Sequence, residues 1–302
     1  LKIPIFSGPT GVGKSAFAVE FAKKVDGEII SVDSMQLHKY MDVGTAKIKG
    51  KEKKNVPHHM IDIIEPDEEF DAEKFRKSAL KIIEEIITRG KRPILVGGSG
   101  LYVEAMRYGI FEGPSKNEVV RSSLLNIEKV SPGALRNLLK EVDPNAYSKI
   151  NENDLVRTIR ALEVYILSGK PISQLWNKRK ADDRFVIFVL NLNRKLLYDR
   201  INKRVEKMFE DGLVEEVQKL LNMGFSKDLP SMKAIGYKEV VKYLEGKMSY
   251  EECKKEIKKQ SRRFAKRQLT WFRKYKDAIW LDLSEDREKL FQTILKKLNW
   301  GD

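Results

Sequence analysis

The segment Gly8-Pro9-Thr10-Gly11-Val12-Gly13-Lys14-Ser15 constrains this chain more than any other. It matches the P-loop pattern in full, and it lies between an apolar run, Ile3-Pro4-Ile5-Phe6, and a helical pattern from Ala16 to Lys24, which is the strand-to-helix context the motif requires. Glycines let backbone N–H groups curl around phosphate oxygens, the helix N-terminus adds its positive end, Lys14 supplies a full charge, and Ser15 is suited to ligate Mg²⁺. A Gly-rich turn with no ligand would have no use for the Lys-Ser pair. The pattern therefore predicts a phosphate, diphosphate or nucleotide site of the ATP-binding type, with Mg²⁺ as cofactor.

Around that motif, short apolar runs alternate with helical patterns: Glu28 to Val32, Phe75 to Thr88, Pro93 to Val96. The alternation predicts an α/β fold, a P-loop core with a parallel sheet. After the turn-rich string Gly109 to Asn117, only helical patterns occur up to about Asp182, broken at Ser131-Pro132-Gly133, Asp143-Pro144 and Gly169-Lys170-Pro171. This predicts an inserted all-helical subdomain at 113–183, with 1–112 and 184–302 forming the core. The run Phe185 to Leu190 returns to the sheet, and helical patterns follow at Lys195 to Glu210, Leu213 to Asn222 and Tyr237 to Leu244.

Composition narrows the partners. With 58 Lys and Arg against 44 Asp and Glu, the 302-residue chain carries a net charge of +14, which favours a polyanionic partner. One cysteine and three histidines leave neither an internal disulfide nor a Cys/His zinc site. The longest apolar run, Phe185 to Leu190, falls far short of the about 20 residues that span a bilayer, and no signal segment opens the chain. A soluble, cytoplasmic monomer without membrane contact is expected.

An ordinary P-loop ATPase would carry a strand ending in a metal-binding Asp. Here the best candidate strand, Pro93 to Val96, runs into Gly97-Gly98-Ser99-Gly100 and offers no carboxylate. An acid does follow the second strand, in Ser31-Val32-Asp33-Ser34-Met35-Gln36, at the sheet edge beside the P-loop. Asp33 is either a base next to the phosphates or the cap of a turn. His58 and His59 read as capping or packing residues rather than metal ligands, and Tyr165, Trp176 and Phe185 as packing.

From Ser249 to Tyr275, Cys253, Ile257, Phe264, Leu269 and Phe272 recur near helical spacing, with Ser261 and Ala265 filling the stripe. Between Lys254 and Lys276 the other positions are dense in Lys and Arg, and Glu256 is the lone acid. That density suits phosphate binding by counterion release; a membrane-surface helix would expose bulkier apolar residues. Arg262, Arg263, Lys266 and Arg267 are the candidate RNA contacts, and Arg157, Arg160, Lys178, Arg179 and Lys180 add charge on the insertion. Arg200 and Arg204 share a helical face, which spacing alone reads equally as a solvated face or as a pair of phosphate-binding cations, Arg204 first.

The P-loop, Ser31 to Gln36, Met41 to Lys47, Pro57-His58-His59, Leu95 to Tyr102, Arg157 to Glu163, Ala234 to Tyr237 and Ala265 to Arg273 together resemble the tRNA dimethylallyltransferase (tRNA isopentenyltransferase) family, in order and over nearly the whole chain. Ser99 and His38-Lys39-Tyr40 depart from it, where Thr and Tyr-Arg-Gly are usual. The resemblance implies transfer of a dimethylallyl group from dimethylallyl diphosphate to the N6 amine of the adenosine 3′ of the anticodon, tRNA position 37, with release of diphosphate. It implies that Asp33 is the base, that Thr10 orients the amine, and that the anticodon stem-loop is held by Asp33, Ser34, Met35, Gln36, Ser99, Arg157, Thr158, Arg160, Lys233, Gly236 and Tyr237, with Gln36 and Ser34 reading base edges. A small-molecule kinase, with Asp33 activating a hydroxyl, and an RNA-binding NTPase switch are the competing readings. The first leaves the basic helix idle, and the second lacks its metal-binding acid.

Overall fold

A computed structural model describes residues 1–111, 113–176 and 180–300; Lys178 and Arg179, two of the cations expected on the insertion, lie outside the described residues, as does the core boundary at position 112. Six parallel strands form one sheet in the order β3-β2-β4-β1-β5-β6: β1 (Ile3–Ser7), β2 (Gly27–Ser31), β3 (His58–His59), β4 (Arg92–Val96), β5 (Phe185–Asn191) and β6 (Ile279–Asp282). Strands buried on both faces need no alternation of polar and apolar residues, and all five residues of β1 and of β2 are buried. β1 lies between β4 and β5, with Ile5 opposite Leu95 on one side and Ile187 on the other. The loop that leaves its carboxyl end is therefore flanked by strand ends on both sides, at the crevice where ligands of such sheets bind.

Helices α1 (Lys14–Lys24), α2 (Ala72–Thr88) and α3 (Gly100–Tyr108) connect the first strands. α1 packs by its aromatic face: the Phe17 and Phe21 rings meet Phe6 of β1 edge-on, with centroids at 5.4 and 5.3 Å. α2 is capped by Asp71, whose carboxylate accepts the Glu73 and Lys74 N–H groups. The chain divides into two compact units, Tyr108–Ala181 and the remainder. It leaves and re-enters the larger unit where the Asp182 N–H donates to the Arg107 carbonyl, and Arg107 is tied there to Asp277 at 2.7 Å.

The smaller unit holds α4 (Glu118–Val130), α5 (Ala134–Val142), α6 (Pro144–Lys149), α7 (Leu155–Ser168) and α8 (Ile172–Trp176) around Leu124, Leu135, Leu139, Ala146, Leu162 and Val164. The three breaks in the sequence pattern are helix ends: Gly133 precedes α5 and Gly169 follows α7 in left-handed conformation, and Asp143 caps α6. At its centre Glu163, fully buried, accepts hydrogen bonds from Arg121, Arg160 and the Asn117 N–H. Burial opposes its ionisation, but these bonds outweigh it and hold the carboxyl at about 2.

The rest of the larger unit comprises α9 (Arg194–Glu210), α10 (Leu213–Asn222), α11 (Tyr237–Leu244), α12 (Tyr250–Phe272) and α13 (Arg287–Leu298). Val205, Met208, Phe209, Leu213, Val217, Tyr237, Val240, Cys253 and Ile257 pack the first four together. β6 and α13 carry no strong periodic signal; four-residue β6 is completed by pairing with β5 from Phe188↔Ile279 to Asn191↔Asp282. Phe264, expected in the apolar stripe of α12, is 37% exposed, and the buried position on that side is Gln268.

Candidate active site

The P-loop leaves β1 with Gly8 at φ 140° and Gly11 at φ 80°, conformations that L side chains resist. Space imposes the same choice: a Cβ on Gly8 would sit 2.4 Å from the Leu190 carbonyl oxygen of β5, and one on Gly11 2.7 Å from Ile201 of α9. The loop thus passes between a strand end and a helix too closely for any other residue. Lys14 reaches back over it and donates to the carbonyls of Gly8 (3.0 Å) and Pro9 (2.9 Å). Loss of hydration in this crowded site lowers the Lys14 ammonium to about 8; Asp33 partly restores it and Arg204 lowers it further. Ser15, in the first turn of α1, is exposed.

Two arginines of α9 face the loop. Arg200 donates to the Val12 carbonyl at 3.1 Å; Arg204 donates to the Thr10 hydroxyl at 3.2 Å and to the Thr45 carbonyl at 3.4 Å. Burial pushes the Arg204 pKa down and Asp33 opposes that shift, so the Asp33 carboxylate favours the charged forms of both Lys14 and Arg204.

Asp33 stands just past the end of β2 and is partly exposed. One carboxylate oxygen accepts the Met35 N–H at 2.9 Å, so the turn-capping role holds and at the same time fixes the carboxylate in place. The neighbouring Ser34 N–H donates to the Ser99 hydroxyl at 2.9 Å, and the two hydroxyls meet at 3.3 Å. Ser99 therefore supports the Asp33 turn. Gln36 accepts the Ser31 hydroxyl at 3.1 Å and lines a small cavity with Ser15, Ile29, His58 and Val96. Its side-chain oxygen is thus engaged by Ser31, and the residue is partly exposed. Met35 packs against the Tyr237 cluster.

Sequence reasoning missed Gln268, which reaches from α12 to the P-loop and accepts the Thr10 N–H at 2.8 Å. Its only signal was a polar residue interrupting the apolar stripe. Glu216 was missed as well: its carboxylate accepts the N–H groups of Asp42, Val43 and Gly44 at 2.7 to 3.0 Å and the Tyr237 hydroxyl at 2.7 Å. Gly44 is needed because a Cβ there would lie 2.5 Å from the Tyr237 ring. Tyr237 is fully buried, as is the backbone at Gly236, whose N–H donates to Glu239. The expected RNA contact at Tyr237 is corrected accordingly: its side chain is a strut under the 42–45 loop.

The basic helix is partly spent on the fold. Lys254 and Lys258 both pair with Glu206 of α9, Lys259 pairs with Glu256, and Arg262 donates to Asn202 at 2.6 Å. Arg263, Lys266 and Arg267 remain exposed, as does Lys233 in the turn before α11. In the smaller unit Arg157 is exposed beside Asp154, Arg160 is held by Glu163 and the Pro114 carbonyl, and Thr158 is buried with its hydroxyl on the Asp154 carbonyl. Thr158 thus packs inward, which corrects its expected contact with RNA. His58 is bonded to the Val56 carbonyl and His59 to Glu28. Among the described residues no helix is long and apolar enough to cross a membrane.

A family model described as IPP transferase matches residues 36–275. The tRNA dimethylallyltransferase of Thermotoga neapolitana is 51% identical over 298 residues, 99% of this chain and 98% of that protein. That of Thermotoga maritima is 50% identical over 304 residues, 99% of this chain and all of that protein. Among solved structures, the full-length tRNA isopentenylpyrophosphate transferase of Bacillus halodurans is 41% identical with a TM-score of 0.74, covering 99% of this chain and 97% of its own. A eukaryotic dimethylallyltransferase acting on tRNA is 29% identical with a TM-score of 0.82, over 97% of this chain and 77% of its own.

Proposed function

Because the chain belongs to the tRNA dimethylallyltransferase family, and is thus an enzyme that prenylates tRNA, we propose that the P-loop holds the diphosphate of dimethylallyl diphosphate and that Asp33 and Thr10 act on the N6 amine of the adenosine 3′ of the anticodon. The observation that carries this reading is the convergence of Lys14, Arg204, Thr10 and Asp33 on one loop at the sheet edge.

Adenine's exocyclic amine is a weak nucleophile because its lone pair is delocalised into the ring. A carboxylate that accepts its proton as the N–C bond forms lowers the barrier; we assign that role to Asp33, whose carboxylate is held by the Met35 N–H. The Thr10 hydroxyl accepts from Arg204, which leaves its own proton to direct toward a neighbouring acceptor. As the allylic C–O bond breaks, negative charge gathers on the departing diphosphate. Lys14, the P-loop N–H groups and Arg204 are preorganised cations and donors for that charge. The hydroxyl of Ser15, exposed in the first turn of α1, would hold Mg²⁺, and the ion would supply further neutralisation of the diphosphate.

A stacked adenosine cannot bring its amine to a loop at the sheet edge, so the base is flipped out, at a cost of a few kcal/mol offset by interactions with the reshaped loop. Phosphates on either side meet Arg263, Lys266 and Arg267, and the smaller unit contributes Arg157 to the anticodon stem-loop. The test is incubation with total tRNA and labelled dimethylallyl diphosphate, with ATP in a parallel reaction. Label retained in tRNA at the anticodon-adjacent adenosine is expected. Release of γ-phosphate from ATP at a comparable rate, with no label in tRNA, would overturn the reading.

A further inference from the structure

We propose that Gln268 is a positioning residue of the transfer reaction: from the helix that bears the RNA-facing cations, its buried amide sets the P-loop at Thr10. RNA docking on α12 and alignment of the diphosphate site are thereby one mechanical event. The inference rests on the function proposed above and adds to it a residue that touches neither substrate.

Gln268 is 7% exposed, whereas Lys266 and Arg267, immediately before it, are exposed. Its oxygen accepts the Thr10 N–H at 2.8 Å and its nitrogen donates to the Gly98 carbonyl at 3.0 Å. The two bonds fix the amide's orientation, since turning it over would set donor against donor at Thr10 and acceptor against acceptor at Gly98. Thr10 carries the hydroxyl that receives Arg204, and Gly98 adjoins Ser99, whose hydroxyl receives the N–H of Ser34 beside Asp33. Gln268 therefore stands between the supports of both groups proposed to act on the amine.

The glycines of the Gly97-Gly98-Ser99-Gly100 turn make room for this helix. A Cβ on Gly98 would lie 2.4 Å from the Gln268 amide nitrogen, and one on Gly100 2.4 Å from the Trp271 indole nitrogen. Residues 268 and 271 lie on one face of α12, and that face is seated in the turn. The Thr10 N–H is committed to Gln268, so its contribution is to the geometry of the loop rather than to a phosphate oxygen. Misplacing a reacting group by a fraction of an ångström is costly even when substrate binding is intact.

Two variants reach the same amide from opposite sides. Gln268→Met keeps the length and removes both hydrogen bonds; Gly98→Ala leaves Gln268 in place and pushes its amide aside. In each, kcat for prenyl transfer is expected to fall about tenfold or more, with KM for tRNA and the salt dependence of stem-loop binding within about twofold of wild type. The Thr10 amide should lose protection from hydrogen exchange, and the double variant should be no worse than the single ones. In the wild type, a stem-loop with purine in place of the target adenosine should tighten binding of an unreactive allylic diphosphate analogue; in both variants that coupling should vanish. Wild-type kcat and preserved coupling in folded Gln268→Met would overturn the proposal. So would weakened tRNA affinity with normal kcat at saturation, which would make Gln268 an RNA-binding residue. If Gln268→Met does not fold, Gly98→Ala decides alone, and full activity there refutes the idea. If the wild type prenylates no tRNA, the functional reading falls, while Thr10 protection and diphosphate affinity in the variants still judge Gln268.

Discussion

Raising the pH should weaken diphosphate binding in a range where an ordinary lysine would leave it unchanged. Lys14 sits at about 8 in the free site, because it has lost hydration and faces Arg204, with Asp33 compensating only in part. A bound diphosphate supplies the missing negative charge and raises the ammonium to at least the ordinary lysine range. The bound state therefore holds the proton more tightly than the free state. Affinity is then full below pH 8 and falls tenfold per unit above it, until the bound-state pKa is reached. At pH 9.5 about 3% of free Lys14 is charged, so affinity should be about 30-fold lower than at pH 7, or about 2 kcal/mol at 1.36 kcal/mol per unit. An unshifted lysine at about 10.5 would lose only about a tenth of its charge over the same interval. The assay is calorimetric titration with an unreactive allylic diphosphate analogue, in two buffers of different ionisation enthalpy at each pH. Near pH 8 about half a proton should be taken up per ligand bound. Lys14→Arg, charged throughout, should flatten the profile. A wild-type affinity that is level from pH 7 to 9.5, with no proton uptake, would refute the charge-cluster reasoning.

Asp33→Asn keeps the size of the side chain and an acceptor for the Met35 N–H but removes the proton acceptor; prenyl transfer should fall by about 10² to 10⁴ while filter-binding affinity for tRNA stays level. Lys266→Glu and Arg267→Glu should weaken all tRNAs alike and reduce the slope of log affinity against log salt by about one for each phosphate no longer neutralised, whereas Lys258→Ala, already engaged by Glu206, should leave that slope unchanged in the same salt series. Gly44→Ala drives a methyl into the Tyr237 ring and should lower stability by about 1–3 kcal/mol in urea unfolding. The Glu163 carboxyl is depressed from its ordinary 4.5 to about 2, so its stabilisation of the smaller unit is present above pH 4.5 and disappears as pH falls toward 2; Glu163→Gln should remove this acid-labile component from the pH dependence of thermal unfolding.

The parts of the site readable in the chain are those whose chemistry is local. A P-loop is eight consecutive residues, and its dihedral needs at Gly8, Gly11 and Gly13 are written in the sequence itself. Asp33 was readable because parallel strands end at one edge, so an acid just past β2 must lie near a loop just past β1. The pair Arg200 and Arg204 was readable as one helical face, but spacing could not show that the face points at Val12 and Thr10. β6 and α13 escaped because a four-residue strand becomes a strand only when β5 offers its edge.

By itself, then, the sequence determined the class of fold, the P-loop, the basic helix and the family, since each depends on patterns within a few turns or strands. Only the tertiary structure decided which cations are free and which are spent: Lys254 and Lys258 were indistinguishable from Lys266 until α9 brought Glu206 against α12. It likewise turned Tyr237 and Thr158 inward, because an exposed or a buried face of a helix is fixed by what packs against it and not by the residue alone. Gln268 is the clearest case. Its amide gains meaning from partners 258 and 170 positions away, and a hydrogen bond between such distant groups exists only once the chain has closed around it.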